Sequence, residues 1–143
     1  MGKADYQREY PTFTGQDMEL LDQVIVMHHK FQLDAEASPS QLTDDEKAFR
    51  ALAMHEEVSE YQEATTLADQ LDALVDLQVF LLGTVHRHGF EHIFEKAFNR
   101  VMQANMKKVM AQSAEQSKRG FKRDLIKPKG WTAPDLRDLV GEL

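Results

Sequence analysis

At 143 residues the chain has room for one domain, and its acids outnumber its bases 24 to 17, a formal charge of −7. With 42% apolar residues it can build a core, which excludes a disordered chain. No cysteine is present, which excludes disulfides, thiolate metal sites and a cysteine nucleophile, and the negative charge argues against a nucleic-acid or anionic-membrane partner.

Residues 1–6 carry charges but no apolar h-region, so no secretory leader is expected, and Tyr6 stands where a myristoylation signal wants Ser or Thr. The longest apolar run, Val79 to Leu82, is far too short for a membrane span. The expected location is the cytoplasm.

A first helix is predicted over about 17–32. Leu20, Leu21, Val24, Met27, His28 and Phe31 recur there at i, i+3, i+4 spacing. After a polar loop, Thr43 and Glu46 form a capping box that opens a second helix reaching about residue 64. Thr65 and Thr66 are N-cap candidates for a third helix, which runs to about residue 88 with Gly89 as its C′ residue. A fourth covers about 91–112. Beyond it, 113–143 reads as a basic, irregular tail with a short helix after Pro134. Strand signals are absent. The expected fold is all-α, an antiparallel bundle of four main helices with a C-terminal tail.

The third helix holds the main anomaly. From Asp72 to Leu82 it is apolar nearly all round and so should be buried on most sides. Yet Asp72 and Asp76 lie four apart on one face, with Asp69 before them near the cap. Ionised carboxylates in a dry interior need a cation. The second helix answers with Glu56, Glu57, Glu60 and Glu63, all on one side of the wheel. A short link makes the two helices antiparallel neighbours, so the acid faces can meet. Such an all-oxygen site suits Mg²⁺ or Mn²⁺. The plainer alternative is a solvated acidic face.

The fourth helix carries Asn105 and Lys108 on its apolar stripe with Phe94, Phe98, Val101 and Val109. Both residue types can hold phosphate oxygens; Lys108 reaching to solvent and Asn105 bonding the backbone is the alternative. Arg50 lies seven residues before Glu57 on nearly the same face and could also grip phosphate. His28 reads two ways, as the wall of a nucleobase pocket or as a satisfied core histidine. Phe31 and Trp131 could stack a base.

These residues together resemble the all-α NTP pyrophosphohydrolases, the MazG-like superfamily that includes dimeric dUTPases and phosphoribosyl-ATP pyrophosphohydrolase. Glu56-Glu57-Val58-Ser59-Glu60 matches the EExxE half of that signature. The ExxD half departs from it: Ala73 stands at the glutamate position, and Asp72-Ala73-Leu74-Val75-Asp76 looks like the DALxD variant of phage-type members. Met27 to Phe31, Asn105 to Val109 and Lys127 to Leu136 are similar to further elements of that branch.

The resemblance implies one domain over 1–143 that hydrolyses an NTP to the NMP and pyrophosphate. It implies Glu57, Glu60, Asp72 and Asp76 as ligands of Mg²⁺ or Mn²⁺, with Glu56 an alternative ligand or the group that orients water. Asn105, Lys108, Arg50 and His28 would bind substrate. Analogy with phage members favours dGTP or GTP, in a host cytoplasm, with dUTP or dCTP as the alternative. The family and the apolar third helix together imply a homodimer or homotetramer.

Two other functions make different demands on the sequence. A di-iron bundle needs Glu-x-x-His pairs, which are missing, and Ser59 stands where a zincin HExxH has its second His. A non-catalytic helical interaction module would show no stabilisation by divalent ions.

Overall fold

Threonines set the starts of two helices in the computed structural model, which describes residues 12–15, 17–35 and 37–143. Thr43 Oγ1 accepts the Glu46 backbone N–H at 3.2 Å and opens α2 (Asp44–Glu63). Thr66 Oγ1 does the same for the Asp69 N–H at 3.1 Å and opens α3 (Leu67–Arg87). Gly89, at φ 72°, ends α3. Its N–H reaches the His86 carbonyl and the Phe90 N–H reaches that of Val85, which is a Schellman motif. With α1 (Leu20–Lys30) and α4 (Phe94–Asn105) these make an all-α chain. The reading of residues 1–6 concerns positions outside the described residues.

The chain divides into two units, 1–92 and 93–143. In the first, α1, α2 and α3 run up, down and up. Arg87 at the end of α3 meets Glu46 at the start of α2, and its guanidinium also donates to the carbonyls of Leu33 and Asp34 just past α1. Val24, Ala53, Ala73, Leu82 and Val85 are buried. So are the polar side chains of His28, Arg50, Glu57 and His86.

In the second unit, Trp131 Nε1 donates to the Ala104 carbonyl at 2.7 Å, and Arg100 holds Asp138 through two bonds of 2.7 and 2.9 Å. Short 3₁₀ turns cover Ala114–Gln116 and Arg137–Val140. No helix among the described residues is long and apolar enough to cross a membrane.

Four expectations need correction. α1 begins at Leu20 rather than near residue 17, because Asp17 has a left-handed backbone (φ 56°) that cannot continue a helix. α4 ends at Asn105 rather than near residue 112. The next residues turn, and β1 (Val109–Met110) pairs antiparallel with β2 (Leu125–Ile126), two short strands that the sequence did not signal. Lys108 therefore lies past the helix, not on its stripe. Within its unit α3 is flanked by α1 and α2, and Leu67, Leu71, Leu74 and Val75 stand exposed, a row that the expected oligomer would cover.

Candidate metal centre

The antiparallel pairing of α2 and α3 sets Asp76, mid-way along α3, level with Glu57 and Glu60. One carboxylate oxygen from each of the three lies within 4.8 Å of the others. Glu57 and Glu60 stand three apart, so one turn of α2 offers both to the same spot. Glu57 is 7% exposed, Asp76 is half-buried and Glu60 is open to solvent, so the cluster has a buried floor and an accessible side.

The electrostatics are those of acids crowded together. A hydrogen bond with Glu60, burial, and the charges of Glu60, Asp76 and Asp72 push the Glu57 carboxyl up to about 7. Near neutral pH, then, the cluster holds a proton that a cation could replace. Two oxygens on opposite sides of one hard divalent ion stand about 4–5 Å apart, so the trio fits an Mg²⁺-class ion. All donors are oxygens, which disfavours a soft metal.

The other expected site residues fall into different places. Asp72 is exposed and outside the trio, although its charge acts on Glu57. Glu56 points elsewhere, because successive helix residues diverge by about 100°, and it is exposed. Glu63 is exposed as well. Arg50 is buried and donates from Nε to Glu46 at 3.0 Å. It sits about two turns, or about 10 Å, from Glu57 along α2.

His28 is buried and partnered within the first unit: its Nδ1 bonds the Val24 carbonyl at 2.9 Å and its ring meets His86 edge-on at 5.4 Å. Burial holds its pKa below the ordinary histidine value, so the ring is neutral at pH 7. Asn105 and Lys108 belong to the second unit, where Lys108 Nζ lies 5.3 Å from the Trp131 ring centre.

Sequence reasoning missed two polar pairings. Glu46, read as half of a capping box, turns its carboxylate away from the cap and onto Arg50 and Arg87. The arginine on α3 that competes for it lies 41 residues on, beyond the reach of local spacing. The second is His86, fully buried, whose Nδ1 meets Glu91 Oε1 at 2.7 Å. The His86-to-Glu91 interval in the sequence was its only signal.

Beside α3 the first unit also holds an apolar cavity of about 500 Å³. Val24, Met27 and Phe31 line one side and Val75, Val79 and Leu82 the other. Val75 and Val79 flank Asp76 within one turn.

A family model described as phosphoribosyl-ATP pyrophosphohydrolase matches residues 24–105, more than half of the chain and all three residues of the acidic trio. No curated protein matches the chain.

Proposed function

Since the chain belongs to the phosphoribosyl-ATP pyrophosphohydrolase family, we propose that it is a metal-dependent nucleoside triphosphate pyrophosphohydrolase cleaving a (d)NTP to the (d)NMP and pyrophosphate. Membership itself carries pyrophosphohydrolase activity on nucleotides. The observation that supports the finer reading is the convergence of Glu57, Glu60 and Asp76.

In this reading the three carboxylates hold Mg²⁺ or Mn²⁺, and Asp72 adds negative charge beside them. When bound, the ion supplies Lewis acidity to the phosphate oxygens and to the attacking water. The chain's own residues do the positioning. Glu57, raised to about 7, gives up its proton as the site loads. The water oxygen forms a bond to the α-phosphorus, the α–β bridging bond breaks, and pyrophosphate leaves with that electron pair. The water proton passes to a carboxylate or to solvent.

The apolar cavity between α1 and α3 receives the nucleobase, being of ordinary ligand-site size and lined by Phe31. Arg50 and His28 act by holding the helices in place, since both are tied to partners inside the first unit. The enzyme works as a homodimer or homotetramer, because α3 exposes a row of apolar side chains.

The test is a panel of all (d)NTPs with Mg²⁺ or Mn²⁺, with products separated by chromatography. The reading expects NMP and pyrophosphate from at least one nucleotide, with dGTP and GTP foremost. Release of NDP and orthophosphate would overturn it.

A further inference from the structure

Charge is divided unevenly along the chain. Residues 93–143 hold 11 Lys and Arg against 6 Asp and Glu, net +5, while residues 1–92 hold 6 against 18, net −12. Within the basic unit, the C-terminal end of α4 and the segment 128–134 enclose a cavity of about 410 Å³. That is within the usual range for small-molecule sites.

Trp131 lines this cavity, its indole fixed by the 2.7 Å bond to Ala104. Lys107 and Lys129 line it as well, both exposed and in no ion pair among the described residues. Lys108 and Lys127 add two more ammonium groups, 5.3 and 5.1 Å from the Trp131 ring centre. The nearby carboxylates are already engaged: Asp138 by Arg100 and Asp135 by Arg137. Lysines at a helix C-terminus complement its partial negative charge, which accounts for Lys107 and Lys108. It does not account for Lys127 and Lys129, which the chain brings back from beyond β2. Lys107 and Lys129, which line the cavity, repel one another, Lys108 and Lys127 against the Trp131 ring add to the positive field, and an anion relieves that repulsion. Lysine is a point-charge phosphate binder.

We propose that this cavity binds a small phosphate-bearing anion, either free diphosphate or the phosphate chain of a nucleotide, and does so without a divalent cation. The proposal does not rest on the metal centre, whose acids all lie in the first unit.

Trp131 is the only tryptophan, so its emission reads this cavity. The full chain is titrated with inorganic pyrophosphate in EDTA, and equilibrium dialysis with labelled pyrophosphate runs in parallel. The expected result is saturable binding that weakens with added salt. It should weaken about tenfold or more in K107A/K129A and be kept in K107R/K129R, with unchanged far-UV circular dichroism in both. GMP and dGTP in EDTA identify the source: tighter binding than pyrophosphate points to a nucleotide, equal or weaker binding to the free anion. No saturation by either method, or K107A/K129A binding like the parent, overturns the proposal. So does binding confined to an oligonucleotide.

Discussion

A cation beside Glu57 would relieve the crowding that Glu60, Asp76 and Asp72 impose on its carboxyl. Replacing Glu57, Glu60 or Asp76 by its amide should lower turnover by about a hundredfold or more. It should also abolish any rise in melting temperature on adding Mg²⁺ or Mn²⁺, while leaving the metal-free melting temperature equal or higher, because one like charge is gone. Thermal melts with and without metal separate this outcome from simple unfolding.

Glu46 behaves in the opposite sense. Its hydrogen bond from Arg87, with Arg50 second, outweighs burial and holds its carboxyl down to about 2. The unfolded value is near 4.5, so the stability this pairing adds is complete above that pH and is lost as the pH falls from about 4.5 toward 2. Glu46→Gln should cost about 2 kcal/mol at pH 7, because it strands a buried Arg50, and should cost progressively less in acid; urea melts across pH measure this. At Gly83, a Cβ would stand 2.8 Å from His28 Cε1 and 3.1 Å from the Arg50 guanidinium. Gly83→Ala should therefore destabilise by about 1–3 kcal/mol in the same assay.

At the scale of elements, much of the chain was legible because helix ends use local chemistry. Thr43, Thr66 and Gly89 each do what their residue type favours. Asp17 and Gln32 do not: both take left-handed backbones, at φ 56° and 61°, with no glycine to announce it. Gln32 closes a Schellman motif at the end of α1, its N–H on His29 and the Leu33 N–H on His28. Gln32→Gly should stabilise by about 0.5–1 kcal/mol, seen as a rise in melting temperature, because glycine carries no Cβ penalty there.

The end of α4 departs from its sequence pattern for a related reason. Met106, Lys107, Lys108 and Met110 are good helix formers, and only a pairing with Leu125 and Ile126, far along the chain, turns Val109 and Met110 into a strand. The acid cluster was legible from spacing and apolar neighbours. Its membership was not, since a wheel gives the face of a residue but not its reach. A wheel therefore groups Asp72 and Glu56 with the trio, although neither shares its common spot.

At the scale of the molecule, Leu67, Leu71 and Leu74 recur along one face of α3, and Leu71 is 64% exposed. A second copy of the chain covering this row would remove it from water. Light scattering should give at least a dimer at micromolar concentration, and L71D/L74D should shift it toward monomer.

One further consequence comes from where Glu46 and Arg87 sit. They fasten three rods at one end, while the crowded acids occupy a stretch further along the same rods. Under the proposed function, durability and turnover are thus assigned to different addresses on shared helices. Random mutagenesis should then yield two largely separate classes of defect, with fragile but competent variants clustering at the fastened end and robust but silent ones at the other.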